Sequence, residues 1–211
     1  MTPSDPKGPR DDRWYLRLMA PNTKGARFAW LDPTSLYLNA AAFSDLLDDL
    51  DADIGDLEFD CVGGLDAMGF VLGAALAARR GVGFLPIRKA GKLCVETDAA
   101  DFTNYSGRTQ RLEMRRPAFP PGTRVLLADQ WVETGGTMRG AIDLVTAQGG
   151  EVVGLVAIAM ERRSGAADLL ARLPSFAAVV PGSRWQADCD AQSLSSFGDY
   201  RPDRAFPRAG R

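Results

Sequence analysis

Histidine is absent from this chain of 211 residues, and its absence removes the most common catalytic group of enzymes. Ser-His-Asp triads, Cys-His dyads and HExxH zinc sites all require an imidazole, so each of them is excluded. Any acid–base chemistry must therefore use carboxylates, lysines, tyrosines or the substrate itself.

Cysteine is scarce as well. The three cysteines, Cys61, Cys94 and Cys189, are odd in number and far apart. This pattern is typical of reduced thiols and not of a disulfide framework or a zinc site. The acidic run at residues 48–56 lacks the spacing of an EF-hand. We therefore predict that no residue of the chain is a dedicated metal ligand.

Long apolar runs and a large net charge are also missing. No apolar run reaches the ~18–20 residues that a membrane-spanning helix needs, and the polar N-terminus does not resemble a signal peptide, so we expect a cytoplasmic protein. The formal net charge of −2 disfavours a general binder of nucleic acid or of membrane surfaces. The apolar content of 45% is sufficient for one well-buried core.

The sequence divides into three regions. Residues 1–13 are rich in proline, glycine and charge and predict a flexible N-terminal arm. Residues 14–181 predict the main domain, in which residues 14–38 form short strands and loops. The polar residues 182–211 form a C-terminal extension, which is either disordered or a strap packed on a neighbour.

Strands and helices alternate through the main domain. Asn39 is predicted to cap a helix with an apolar stripe of Phe43, Leu46, Leu47 and Leu50. Further elements are predicted as strands at 57–63, 82–87, 124–129, 151–160 and 177–180, and as helices at 66–80, 137–148 and 164–173. This order predicts an α/β fold with a doubly wound, mainly parallel sheet, whose ligand binds at the carboxyl ends of the strands.

In the helix at 66–80, we expect the inward face to consist of Phe70, Val71, Ala74, Ala75 and Ala78. The connection at 89–121 is long, polar and weakly periodic, although residues 110–115 within it can pair as a strand.

The most informative segment is Arg124–Thr137, which combines a buried strand, an acid and a glycine loop. The strand ends at Asp129, the loop Thr134-Gly-Gly-Thr137 follows, and an amphipathic helix begins directly after it. Glycines let the backbone N–H groups approach an anion, and the helix N-terminus adds partial positive charge. This arrangement predicts a phosphate site, with the threonine hydroxyls as additional donors.

These residues resemble the phosphoribosyl-diphosphate (PRPP) motif of type I phosphoribosyltransferases. Two further segments, Gly63-Gly-Leu-Asp-Ala-Met-Gly-Phe70 and Pro86-Ile-Arg-Lys-Ala-Gly-Lys-Leu93, resemble the adenine phosphoribosyltransferase branch of that family. Residues 25–33 resemble its small hood segment, which here falls within residues 14–38. The three motifs occur in the family's order, and the resemblance extends from about residue 25 to residue 181.

The resemblance implies a role for each matching residue. Glu133, Thr134, Gly135, Gly136 and Thr137 would surround the 5-phosphate of PRPP. The ribose hydroxyls would contact Asp129 and Gln130. The pyrophosphate would be bound by Asp66, Ala67, Met68, Arg88 and Lys92, and the base would be bound by Phe28, Val132 and Asn104.

Several active-site positions differ from the family pattern. Gln130 replaces the second acid of the acidic pair, and Met68 replaces an arginine of the pyrophosphate loop. Asn104 stands near the position where the family often has a glutamate close to the base. Conversely, Glu133 adds an acid at a position where adenine enzymes usually have a small residue. We therefore hypothesise that Glu133 is the carboxylate that faces the base, with a solvent-exposed turn residue as the alternative.

Together these features predict a pentosyltransferase, most similar to the adenine phosphoribosyltransferases, in which Asp129 and Glu133 are the catalytic candidates. It would transfer ribose 5-phosphate from PRPP to a purine or purine-like base and release pyrophosphate, with Mg²⁺ bound mainly by the substrate. The resemblance also implies a homodimer. The alternative is a non-catalytic sensor of PRPP or nucleotides on the same fold, because the altered residues reduce the charge around PRPP.

Overall fold

A computed structural model describes residues 13–24, 31–103, 107–162, 165–193 and 200–201. Within these ranges the chain forms a short two-stranded sheet and one seven-stranded sheet. The strands are β1 (Ala20–Pro21), β2 (Leu31–Asp32), β3 (Cys61–Leu65), β4 (Gly83–Lys89), β5 (Thr97–Thr103), β6 (Thr109–Arg115), β7 (Arg124–Val132), β8 (Glu151–Met160) and β9 (Ser175–Ala177). The helices are the 3-10 helix η1 (Trp14–Leu18) and the α-helices α1 (Thr34–Leu38), α2 (Ala40–Ile54), α3 (Met68–Arg80), α4 (Gly136–Ala147), α5 (Ala167–Arg172) and α6 (Arg184–Ala191).

The large sheet has the strand order β5-β6-β4-β3-β7-β8-β9. Strands β3, β4, β7, β8 and β9 pair in parallel, whereas β6 is antiparallel to both β4 and β5. The predicted mainly parallel α/β fold is therefore confirmed. The connection at 89–121 contains the β5–β6 hairpin, so the strand expected at 110–115 is present and has a partner within the same connection.

Helices cover both faces of the sheet, because neighbouring side chains of a strand point in opposite directions. On β7, Leu126 and Ala128 belong to an apolar cluster that includes residues of α2, α3 and α6. Val125 and Leu127 belong to a second cluster that includes residues of α4 and α5. This two-sided burial explains why the strand is an uninterrupted apolar run in the sequence.

Helix α3 shows that the predicted inward face was wrong, because none of the five predicted residues is among its buried residues. Its buried residues are Gly69, Leu72, Gly73, Leu76 and Ala77, whereas Val71 is 38% exposed. The two glycines let the helix approach β7 very closely. A Cβ atom on Gly69 would lie 2.5 Å from the carbonyl oxygen of Ala128 and 3.0 Å from the Cα atom of Asp129.

The N-terminal part of the described chain agrees with the sequence. The side chain of Asn39 caps α2 by accepting a hydrogen bond from the backbone N–H of Ala42 at 3.0 Å. The predicted stripe faces the core, with Leu46 and Leu50 fully buried. The predicted arm at residues 1–12 and residues 25–30 lie outside the described part.

Residues 184–191 of the expected C-terminal extension form helix α6. Trp185 and Cys189 of this helix are buried in the core of the same chain. The two side chains are four residues apart and therefore lie on one face of the helix.

The three cysteines are free, as expected. No helix in the described ranges is long and apolar enough to cross a membrane.

Candidate functional site

Three parallel strands bring their carboxyl ends together at one edge of the sheet. Leu65 at the end of β3 is level with Ile87 of β4, and Gly64 is level with Ala128 of β7. The next polar residues along these strands are Asp66, Arg88 and Asp129. The structure therefore places three predicted site residues from distant parts of the sequence at the same edge, where α/β proteins bind ligands.

The phosphate loop connects β7 to α4. Gly135 has φ = 75°, a left-handed conformation that favours glycine, and it precedes the first residue of the helix. At Gly136 a Cβ atom would collide with the carbonyl oxygen of Thr103, so the end of β5 packs directly against the loop. The first N–H groups of a helix have no partner within the helix, and here they adjoin Thr134 and Thr137.

Arg139 stabilises the backbone of this loop through hydrogen bonds. Its guanidinium donates to the carbonyl oxygen of Thr134 at 2.9 Å, and it also bonds to Gly165 and Asp168. Because these hydrogen bonds occupy Arg139, it supports the loop and is not positioned as a phosphate ligand. A role for Arg139 was not predicted from the sequence, in which an arginine on an amphipathic helix is usually a solvated residue.

The loop after β3 carries the predicted pyrophosphate residues. The peptide bond between Asp66 and Ala67 is cis, and α3 begins at Met68. Arg88 Nε donates to Asp66 Oδ2 at 3.4 Å, and the guanidinium lies 5.9 Å from the centre of the Phe70 ring. The structure therefore brings together Asp66, Met68 and Arg88.

Glu113 organises the neighbouring loop at residues 91–93. Its carboxylate accepts the backbone N–H groups of Gly91, Lys92 and Leu93 at 2.6–2.9 Å, and these bonds hold the pKa of Glu113 below its ordinary value. The carbonyl of Lys92 in turn accepts from Arg88 Nη1 at 3.1 Å. Lys92 itself is exposed. This role was not predicted from the sequence, because Glu113 is close to the loop only after β6 pairs with β4.

Asp129 differs electrostatically from an ordinary surface carboxylate. Desolvation raises its pKa to about 7, against the opposing effects of the Gln130 backbone N–H and of the Lys89 charge. The Gln130 N–H donates to Asp129 Oδ1 at 2.7 Å. Desolvation and the nearby charge of Asp129 raise the pKa of the Tyr37 hydroxyl, which is buried and has no hydrogen-bond partner among the described residues.

Glu133 is partly buried at the start of the loop. Desolvation raises its pKa, and a hydrogen bond from Gln192 Nε2 to Glu133 Oε1 at 3.0 Å opposes that effect.

The side chain of Val132 is only 2% exposed and packs in the second apolar cluster. A bound base could therefore contact the side chain of Val132 only after a rearrangement of the surrounding structure. Phe28 and Asn104, the other predicted base-binding residues, lie outside the described part of the chain.

The comparisons with known proteins agree with this arrangement. Residues 35–175 match the family model described as the phosphoribosyl transferase domain, which covers well over half of the chain. An adenine phosphoribosyltransferase of Thermobifida fusca is 45% identical over 124 residues, which are 59% of this chain and 70% of the relative. One of Dinoroseobacter shibae is 41% identical over 142 residues, 67% of this chain and 78% of the relative.

Solved structures show the same fold. The adenine phosphoribosyltransferase of Thermoanaerobacter pseudethanolicus superposes with a TM-score of 0.70 at 30% identity, over 76% of this chain and 92% of that one. The Saccharomyces cerevisiae enzyme, in complex with an imino-altritol bisphosphate and adenine, gives 0.68 at 27% identity, over 78% and 98% of the two chains. With the family model, these similarities show that the chain belongs to the phosphoribosyltransferase family and has its type I fold.

Proposed function

We propose that this protein transfers ribose 5-phosphate from PRPP to a ring nitrogen of a purine base and releases pyrophosphate. The observation that carries the proposal is the Thr134–Thr137 loop at the end of β7, with Asp129 on one side and the Asp66–Arg88 pair at the same sheet edge. A phosphate, two ribose hydroxyls and a diphosphate occur in this order along PRPP. The three groups of residues match that order.

Within this proposal the residues share the work of positioning and of charge stabilisation. The phosphate loop would bind the 5-phosphate, and Asp129 and Gln130 would accept hydrogen bonds from the ribose hydroxyls. Arg88 and the loop at 91–93 would stabilise the charge of the departing pyrophosphate. Fixing the two reactants side by side contributes much of the rate in such transfers.

The donor residues fit Mg²⁺ carried by the substrate. In the described ranges no three acidic or thiol side chains come close enough to form a cation site of their own. Asp66 and Asp129 are single carboxylates, and a hydrated Mg²⁺ on a diphosphate typically uses one or two such groups. The bound metal would neutralise charge on the diphosphate.

Glu133 is the proposed base-facing carboxylate. It stands directly before the phosphate loop, and it is partly buried, as a group that contacts a bound base should be. A carboxylate accepts a hydrogen bond from an N–H group, so it would favour the protonated nitrogen of a purine imidazole ring. Adenine, the base in the names of the relatives, is the first acceptor to test.

A pyrophosphate-release assay with Mg²⁺, PRPP and a panel of purine bases tests the proposal. We expect release that depends on one base, and we expect Asp129→Asn to slow it about 100-fold. If no base supports release while calorimetry still detects PRPP or nucleotide binding, the protein is a sensor on the same fold.

We further propose a cytoplasmic homodimer. PRPP is a highly charged metabolite that does not cross membranes unaided, so an enzyme that uses it belongs in the same compartment. Sedimentation equilibrium would show twice the mass of 22.7 kDa for the dimer.

A further inference from the structure

Helix α6 lies beyond residue 175, where the match to the family model ends. It is nevertheless firmly attached to the end of β8. Gln186 Nε2 donates to the carbonyl oxygen of Met160 at 2.9 Å, and Asp190 Oδ1 accepts from the backbone N–H of Arg162 at 2.7 Å. The C-terminal extension is thus held close to the strand that neighbours β7.

The residue that follows α6 reaches the phosphate loop. Gln192 Nε2 donates to Glu133 Oε1 at 3.0 Å and to Glu161 Oε1 at 3.3 Å. The backbone of Gln192 is left-handed, with φ = 49° and ψ = 36°, which is uncommon for a residue other than glycine. The amide therefore joins the C-terminal end of α6 to two acids, which directly follow β7 and β8.

The two acids are unlike ordinary surface carboxylates. Glu161 is 5% exposed, and desolvation raises its pKa, with further contributions from the charges of Glu133 and Asp190. Trp131 Nε1 also donates to Glu161 Oε1, at 3.3 Å. The remaining charged or titratable groups packed here are Arg162 after β8, and Asp188 and Cys189 on α6.

A glutamine side chain suits this position for a chemical reason. Its NH₂ group has two N–H donors and no charge, so it can bind two carboxylates at once. A lysine or arginine would form an ion pair with Glu133 and reduce its ability to accept a proton. The amide instead restricts the direction of the carboxylate and leaves its charge in place.

We propose that Gln192 is a positioning residue, through which the C-terminal helix holds the carboxylate of Glu133 toward the base. This inference rests on the proposed function, because it assumes that Glu133 faces the base. It assigns a role in the active site to a segment outside the matched family domain.

The variant Gln192→Leu tests the proposal, because it keeps the size of the side chain and removes both donors. A hydrogen bond to a carboxylate stabilises its ionised form, so its loss raises the pKa of Glu133. We expect the acidic limb of the kcat/KM profile to move up by about one pH unit. In a Glu133→Gln background, Gln192→Leu should cause no such shift.

Ser183→Ala is the matched control. The Ser183 hydroxyl caps α6 by accepting from the backbone N–H of Gln186 at 3.2 Å, so this variant loosens the helix without touching the carboxylates. We expect its acidic limb to coincide with that of the wild type. An unshifted limb in Gln192→Leu, or an equal shift in Ser183→Ala, would overturn the proposal.

A measurement without turnover separates this inference from the proposed function. Carbon-13 NMR of labelled glutamate side chains reports the titration of Glu133, with Glu133→Gln used for assignment. We expect a higher midpoint in Gln192→Leu than in the wild type. If no base reacts, the proposed function fails. Even then, a raised titration midpoint of Glu133 in Gln192→Leu shows that Gln192 acts on Glu133, and an unchanged midpoint shows that it does not.

Discussion

The raised pKa of Asp129 predicts that this residue destabilises the fold at neutral pH. In the folded protein its pKa is about 7, compared with an ordinary value of 3.8. As pH rises from about 4 to about 7, the unfolded chain loses this proton before the folded chain does. Stability therefore falls through that range, and the full cost is present above pH 7. The variant Asp129→Asn carries no such charge and should escape the cost.

The size of the effect follows from the same numbers. The interval between 3.8 and about 7 corresponds to at most about 4 kcal/mol, at about 1.4 kcal/mol for each pH unit. Asp129 is only partly shielded from solvent, so we expect about half of this value. For a chain of this length, about 2 kcal/mol corresponds to a rise in Tm of roughly 4–8 °C.

Thermal unfolding of both proteins at pH 4, 6 and 8, without ligand, measures the effect. The advantage of Asp129→Asn should be smallest at pH 4, increase through pH 6 and be complete at pH 8. In the same variant we expect kcat/KM to fall about 100-fold, because a preorganised charged group at the ribose is lost. Stability would thus increase as activity decreases.

Asp60→Asn is a control of opposite sign. Hydrogen bonds from Arg124 hold the pKa of Asp60 below its ordinary value, so this carboxylate stabilises the fold at neutral pH and loses that effect in acid. Asp60→Asn should be less stable than the wild type at pH 8, and this difference should shrink only as the pH falls below about 3.8. A difference between Asp129→Asn and wild type that stays constant from pH 4 to 8 would refute the argument.

Three further variants test other parts of the site. Gly136→Ala should destabilise the fold by about 1–3 kcal/mol and weaken PRPP binding, because its Cβ atom would collide with the Thr103 carbonyl. The control is Gly83→Ala, whose Cβ atom would meet only ordinary contacts. In unfolding and calorimetric assays the control should change neither stability nor PRPP binding. Tyr37→Phe removes a buried hydroxyl that has no partner among the described residues, so Tm should not fall, and a lower Tm would contradict this view. Glu113→Gln weakens the anchoring of residues 91–93, so steady-state kinetics should show a higher KM for PRPP, and an unchanged KM would exclude this loop from the site.

The sequence was most informative where one continuous segment contains a whole structural unit. Strand β7, the phosphate loop and α4 follow one another directly, so periodicity and the two glycines were enough to predict them. The phase of α3 was wrong because its inward face is formed partly by Gly69 and Gly73, which have no side chain for an apolar pattern to detect. Close packing of backbones leaves little trace in hydrophobicity.

Contacts between distant segments were beyond sequence reasoning for a different reason. Glu113 reaches the loop at 91–93 through the antiparallel pairing of β6 with β4, and Gln192 reaches Glu133, which is 59 positions earlier in the chain. Helix α6 was missed because it is short and polar, with Trp185 and Cys189 as its buried anchors. Only the folded chain defines these neighbours.

The close approach of α3 to β7 constrains how this protein could diverge from its relatives. Gly69 lies against the backbone of Ala128 and Asp129, so the start of α3 and the carboxyl end of β7 cannot move closer together. Backbone contact therefore sets the smallest spacing between the proposed pyrophosphate and ribose subsites. New specificity has to come from side chains placed on this rigid frame, as at Met68, Gln130 and Glu133.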